Sequence, residues 1–358
     1  MFIRETILLS LAMAVAGCAL APAMDLDESR YKKGPISFPI ITITAELVAR
    51  PENQPRQPVN SHNNVALQQA LSEYAYRVGP QDVLSVIVWE HPELTIPAGE
   101  VRSAEAAGHA VGPDGTIFFP FVGQVKVAGK TVQEIRRLLS HRLAAFITNP
   151  QLDVRVAAFN SQRIHVIGQV LKPGILPITD VPLTALEAIN KAGGVSPEAD
   201  LQNVTLTRKD RVRKLDVQAL YDFGDTIQNV LLRSGDILHI PDRSKNKVFV
   251  LGEFGKPTTL LMHKGRMTLA EVIGASGGFD RLTADPRRIF VIRGEFDHPE
   301  VYQLDASSAD ALLLANRFHL KPKDVVYVAS TKLSRWNRVV SQILPTVQTL
   351  FFTDELLE

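Results

Sequence analysis

Val166-Ile167-Gly168-Gln169-Val170, followed by Lys172-Pro173-Gly174, returns later in the chain as Val250-Leu251-Gly252-Glu253-Phe254, followed by Lys256-Pro257. The leading glycines, Gly168 and Gly252, are 84 positions apart. Three further features recur in the same order. A Thr-x-x-Glu sequence opens an apolar run in both copies, Thr184 to Glu187 and Thr268 to Glu271. At that spacing a hydroxyl and a carboxylate satisfy free backbone donors in the first turn of a helix. Each predicted helix ends at paired glycines, Ala192-Gly193-Gly194 and Ser276-Gly277-Gly278, which suit the left-handed conformation of a helix terminus. Each copy closes on an aspartate before an apolar strand, Asp236 before Ile237-Leu238-His239-Ile240 and Asp324 before Val325-Val326-Tyr327-Val328. Four features repeated in order at nearly one offset define a tandem duplication of a small αβ module.

Upstream of the duplication, compact structure is expected from about Tyr74. Val83 to Trp89 reads as a strand, and Thr116-Ile117-Phe118-Phe119 follows the turn Gly112-Pro113-Asp114-Gly115. Val125-Lys126-Val127 reads as a further short strand. A helix is predicted from Thr131, with Glu134 completing a capping box and Ile135, Leu138, Leu139, Leu143 and Phe146 on one face. Leu152-Asp153-Val154-Arg155-Val156 alternates as a half-buried strand does. Residues 19–72 are rich in proline and polar side chains and read as an extended arm. Its β-branched run, Ile40-Ile41-Thr42-Ile43-Thr44, is the one piece suited to add a strand to a sheet elsewhere.

At the amino end, Arg4 precedes an apolar run from Ile7 to Ala16, and Val15-Ala16-Gly17 leads to Cys18, the only cysteine. The run is too short for a spanning helix, which needs ~20 residues, but has the form of a signal-peptide core before small residues. Cys18 is therefore expected to take a diacylglyceryl group on its thiol and to begin the mature chain, in the manner of a bacterial lipoprotein. Ala19, where an aspartate favours inner-membrane retention, points to the outer membrane. With 45% hydrophobic and 22% charged residues, the 358-residue chain has the composition of a globular protein of two or three domains. A formal charge of +1 offers nothing to nucleic acid, whose binding rests on basic side chains meeting phosphates.

Near the carboxy end, Leu333, Trp336, Val339, Val340, Ile343, Leu344, Val347, Leu350 and Phe351 are spaced by threes and fours, so they share a helix face. The other face carries Arg335, Asn337, Arg338, Ser341, Gln342, Gln348 and Thr349, and Pro345 should bend the helix. Twenty residues span ~30 Å, about the hydrocarbon thickness of a bilayer. Three readings stand together: a surface helix on the protein's own core, an interfacial membrane helix, or a spanning helix whose polar face lines water. The third requires a ring of copies, because lipid offers nothing to amides and guanidinium groups.

Other signals carry little. His91-Pro92-Glu93 reads as a solvated loop, since no zinc spacing accompanies it. The glycine pairs follow their helices and so are not dinucleotide loops. Arg208-Lys209-Asp210-Arg211 and Arg287-Arg288 read as hairpin tips or exposed loops. No catalytic motif is present, and no cofactor or metal is expected.

Several of these stretches carry a family resemblance. Tyr76 to Leu84 (YRVGPQDVL), Trp89 to Gly99 (WEHPELTIPAG), Asp114 to Pro120, Val127 to Val132 and Asn149 to Val154 resemble the polysaccharide-export domain. The duplicated modules resemble the soluble-ligand-binding β-grasp repeats of the same family, and Arg335-Trp336-Asn337-Arg338-Val339 is similar to the start of its terminal helix. The chain thus resembles the Wza-type outer-membrane polysaccharide export lipoproteins.

The resemblance implies an α+β, multidomain fold. Its divisions are a signal peptide (1–17), an arm (18–73), an export domain (74–160), two β-grasp repeats (161–243 and 244–330) and an amphipathic transmembrane helix (331–358). It further implies arm strands placed within the modules, a homo-octameric ring with most of its mass in the periplasm, and an α-helical barrel through the outer membrane. The export domain would meet an inner-membrane polysaccharide co-polymerase, commonly a tyrosine autokinase. In that barrel Trp336, Val339, Val340, Ile343, Leu344 and Val347 would face lipid. Arg335, Arg338, Ser341, Gln342 and Gln348 would face the lumen and the polysaccharide. The tail departs from the family pattern after Thr346. A lipid-tethered periplasmic module that binds sugars or a partner without a pore is the alternative reading, and a glycosidase ranks behind it for want of a paired-carboxylate cleft.

Overall fold

The computed structural model describes residues 39–50, 64–94, 108–294, 298–331 and 334. In chain order, β1 (Ile40–Thr42) and α1 (Ala45–Ala49) precede α2 (Val65–Ser72). Then come β2 (Val83–Val88), β3 (His109–Ala110), β4 (Thr116–Phe119), β5 (Gly123–Lys126), α3 (Val132–Leu143) and β6 (Leu152–Ala158). The first repeat is β7 (Arg163–Gly168), β8 (Gly174–Pro177), α4 (Ala185–Lys191), β9 (Val204–Arg208), β10 (Arg211–Leu215), α5 (Val217–Phe223) and β11 (Ile237–Ile240). The second is β12 (Lys247–Gly252), β13 (Thr258–Leu261), α6 (Leu269–Ala275), β14 (Ala284–Arg293), β15 (Glu300–Leu304), α7 (Ala309–Arg317) and β16 (Val325–Ser330). The described residues divide into two compact units, residues 64–242, and residues 39–50 with 243–334.

Within residues 64–242, β2 is the middle of an antiparallel sheet ordered β3-β2-β6. Its alternation puts Leu84, Val86 and Val88 into a core with Ile135, Leu139 and Leu143 of α3. The capping box forms in both directions: the Thr131 hydroxyl accepts from the Glu134 N–H at 3.3 Å, and the Glu134 carboxylate accepts from the Thr131 N–H at 2.8 Å. The sequence expectation for Phe146 is not met. Because α3 ends at Leu143, Phe146 lies beyond its last turn, 60% exposed, and stacks on Phe121 with ring centroids 5.8 Å apart.

The first repeat forms a five-stranded sheet ordered β10-β9-β11-β7-β8, in which β11 runs parallel to β7 and the other pairs are antiparallel. The second repeat reproduces that order as β15-β14-β16-β12-β13, then gains a sixth strand. That strand is β1, paired parallel to β15 in the register Ile40–Val301, Ile41–Tyr302, Thr42–Gln303. The β-branched run of the arm therefore does join a sheet. Ile43, Leu47 and Val48 continue into the same core as Leu269, Val272 and Phe318. The stretch read as extended also holds two short helices, α1 and α2, each begun by a side-chain cap, from Thr44 and Asn64 respectively.

Close backbone approach explains the leading glycines. Gly168 has φ of +91°, and a Cβ built on it would lie 2.0 Å from the Ile240 carbonyl oxygen of the adjacent parallel strand. Gly252, at φ +86°, would put a Cβ 2.2 Å from the Val328 carbonyl oxygen. No other residue fits a site that is both left-handed and this crowded.

Candidate functional site

The residues that sequence reasoning singled out lie outside the described residues: Cys18, the lumen candidates Arg335, Arg338, Ser341, Gln342 and Gln348, and the lipid candidates Trp336, Val339, Val340, Ile343, Leu344 and Val347. After β16, the Thr331 N–H donates to the Thr283 carbonyl at 2.8 Å. The Thr331 hydroxyl accepts the Ser334 N–H at 3.1 Å, the arrangement of a helix N-cap. The buried Ser334 hydroxyl donates to the carbonyls of Thr331 and Thr283. The start of the segment is thus tied to the body of the second repeat. Among the described residues, no helix is long and apolar enough to cross a membrane.

The closing aspartates of the two repeats each hold an arginine from a neighbouring strand. Asp236 accepts Arg208 Nε at 2.8 Å and Nη2 at 2.6 Å, together with the Arg233 N–H at 2.8 Å. Asp324 accepts Arg293 Nε at 3.1 Å and Nη2 at 2.8 Å, together with the Lys321 N–H at 2.8 Å. In both repeats the arginine's second nitrogen also donates to a carbonyl five positions before the aspartate, that of Leu231 or His319. The hydrogen bond to Asp236 pushes the Arg208 guanidinium above its usual pKa. For Arg293 burial is the largest influence and works against the charge, but the hydrogen bonding and the charge of Asp324, joined by Tyr302 and Glu300, together outweigh it, so its pKa also rises. A charge held this firmly orders structure and has no proton to exchange. Arg208 and Arg211 flank the turn Lys209–Asp210, as their spacing suggests, but the Arg208 side chain is turned back onto Asp236. Arg287 and Arg288, expected in a loop, lie in β14 beside its bulge, with Arg287 paired to Asp285.

A second polar centre joins the first unit's upstream part to its repeat. Asp82 is fully buried and accepts five hydrogen bonds. These come from the Tyr76 hydroxyl at 2.7 Å, the Gly79 N–H at 2.9 Å, and the Asn160 N–H, Ser161 N–H and Ser161 hydroxyl, each at 2.8 Å. Nearby, the Tyr74 hydroxyl donates to the Thr179 carbonyl. Burial, and after it the charge of Asp180, holds the Tyr74 phenol above its usual pKa. Burial likewise raises that of Tyr76. Beside this junction lies a groove of about 440 Å³, lined by the aromatic rings of Tyr74, Tyr76 and Phe159 and by Gln133, Arg155 and Asp180. The sequence marked Tyr76 and Asp82 only as parts of a familiar motif; their contact with Ser161 joins segments about 80 residues apart and leaves no local signal. His91 Nδ1 and the Glu93 carboxylate lie 2.9 Å apart beside a short 3₁₀ turn. Among the described residues, no group of three or more metal-ligating side chains comes together.

The fold defines a mixed αβ chain in which an upstream domain is followed by two modules of one strand order, and comparison with known proteins supplies the families. Residues 70–157 match the family described as polysaccharide biosynthesis/export protein, and residues 162–240 and 246–328 each match the SLBB domain. Residues 333–351 match the outer-membrane lipoprotein Wza C-terminal domain. The chain is 41% identical to the EPS I polysaccharide export outer membrane protein EpsA of Ralstonia nicotianae, over 97% of this chain and 96% of that protein. It is 29% identical to the capsule polysaccharide export protein BexD of Haemophilus influenzae, covering 77% of this chain and 78% of that one. It is 27% identical to the capsule polysaccharide export outer membrane protein CtrA of Neisseria meningitidis, covering 74% and 75%. The chain belongs to the Wza-type polysaccharide export proteins with tandem SLBB repeats.

Proposed function

We propose that this protein is an outer-membrane conduit that carries capsular polysaccharide or exopolysaccharide from the periplasm to the cell surface. The observation that carries the reading is the match of residues 333–351 to the Wza C-terminal domain, directly behind the capped turn that ends the second repeat. A polysaccharide is polar and wide, so it does not partition into hydrocarbon and needs a wet path. The reading has the terminal helices of a homo-oligomeric ring, an octamer by resemblance, enclosing that path. Trp336, Val339, Val340, Ile343, Leu344 and Val347 face lipid. Arg335, Arg338, Ser341, Gln342 and Gln348 face the bore, where amides and hydroxyls give weak, replaceable hydrogen bonds to sugar hydroxyls. Acylated Cys18 anchors each subunit, most of the mass is periplasmic, and the export domain meets an inner-membrane co-polymerase that supplies the driving force.

Removal of residues 333–358 tests this. Surface polymer falls to background while circular dichroism of the remaining chain is unchanged; continued display of polymer by the truncated protein refutes the conduit. A Cys18→Ser form remains detergent-dependent and oligomeric on this reading. A soluble monomer would favour a tethered binding module instead.

A further inference from the structure

We infer that the groove beside the Asp82 junction binds one uncharged saccharide unit. Its volume of about 440 Å³ falls within the ~300–1,000 Å³ of small-molecule sites. One side is apolar, built from the rings of Tyr74, Tyr76 and Phe159 with valines of α3 and β6. The rings are held before any ligand arrives. Tyr76 is fixed by Asp82 and Ser161 and meets Phe159 edge-on with centroids 4.9 Å apart, and Tyr74 is fixed by the Thr179 carbonyl. Such preorganisation lowers the ordering cost of binding.

The rim is polar and has capacity to spare. The Gln133 amide and the Asp180 carboxylate make no hydrogen bond among the described residues. Arg155 gives its Nε to Asp153 at 2.7 Å, which leaves its terminal nitrogens available. Donors and acceptors around an aromatic floor suit a molecule with a C–H face and a rim of hydroxyls, and a pyranose has that shape. Charge sets the selectivity. Asp153 already neutralises Arg155, so the unpaired Asp180 leaves the rim negative and works against a uronic or sialic acid. The inference deepens the export reading, on which the biological source of the sugar rests.

Saturation-transfer difference NMR on the detergent-extracted full chain tests it, with methyl N-acetylglucosaminide and methyl glucuronide as probes. The neutral glycoside receives saturation and the glucuronide does not. Gln133→Ala and Asp180→Ala, both at exposed positions, each weaken the neutral probe about tenfold, the size of one hydrogen bond. Val212→Ala, on the far edge strand of the repeat, leaves it unchanged. Absence of transfer to the neutral glycoside, equal transfer in all variants, or preference for the glucuronide overturns the inference. A groove that fails while truncation at Leu333 still abolishes surface polymer refutes the site alone. Saccharide binding that survives beside polymer display by the truncated protein refutes the conduit alone.

Discussion

The two repeats share one inward face and differ on the other. Positions facing the helices are apolar in both: Ile164, Val166, Val204, Leu206, Leu238 and Ile240 in the first, and Val248, Val250, Ile289, Val291, Val326 and Val328 in the second. On the opposite face, one rung across the first sheet reads Ile175, His165, Ile237, Thr207 and Val212. The matching rung of the second reads Thr259, Phe249, Val325, Ile292 and Val301, extended by Ile40 of the arm. Val301 is fully buried, whereas Val212 is 68% exposed. The edges differ too. β15 is covered by β1, while β10 has no outer neighbour among the described residues and carries Arg211, Arg213 and Lys214. A sheet edge left open invites pairing with another chain, and covering it or charging it are two remedies. Duplication preserved what the fold needs inside and let the outer surfaces diverge.

The comparison can be broken first at the arginine–aspartate pairs. Asp324→Ala strands Arg293, only 8% exposed, and should cost about 3–5 kcal/mol, as removal of one partner of a buried pair does. Asp236→Ala strands Arg208, 35% exposed, where water replaces the partner, so about 1–2 kcal/mol is expected. Denaturant unfolding with site-resolved hydrogen exchange reads both; equal losses would show that the two pairs do not differ in burial as described.

The arm gives a somewhat smaller effect. Ile43 is 3% exposed, and Ile43→Ala should cost about 2–3 kcal/mol. Exchange protection should fall in β15 and stay unchanged in β10. Loss of protection in both strands would mean that the arm does not act through the second sheet alone.

The smallest effect concerns pH. Burial holds the imidazole of half-buried His109 below its usual pKa, against a hydrogen bond with the Phe118 carbonyl that acts the other way. The unfolded chain therefore binds this proton more readily than the folded one. The stability His109 contributes is fully present above about pH 6.5 and is lost as pH falls from there through the depressed folded value. His109→Leu should flatten that part of the profile for residues 64–242. An unchanged profile would assign the decline to other groups.

Sequence reached furthest where the interaction is local. Thr131–Glu134, Thr184–Glu187 and Thr268–Glu271 all close as reciprocal caps, because three residues of helix fix the geometry. The leading glycines were legible as a repeat, though their cause, a carbonyl of the parallel strand that any Cβ would strike at about two ångströms, was not. Long-range partners were hidden. Nothing near Asp236 or Asp324 announces Arg208 or Arg293, which lie 28 and 31 positions away. The β-branched run of the arm declared itself a strand, but its choice of β15 depended on which edge the tertiary fold offers. Phe146 kept the helical spacing beyond the end of the helix, where spacing no longer implies burial. The groove draws on Tyr74, Gln133, Phe159 and Asp180, four residues that no motif links.

Electron microscopy of single detergent-extracted particles of the full chain tests the conduit most directly. Closed rings with a continuous bore that ends in a bundle of terminal helices are predicted. Solitary subunits, or rings whose axis is filled where residues 333–351 converge, would contradict it.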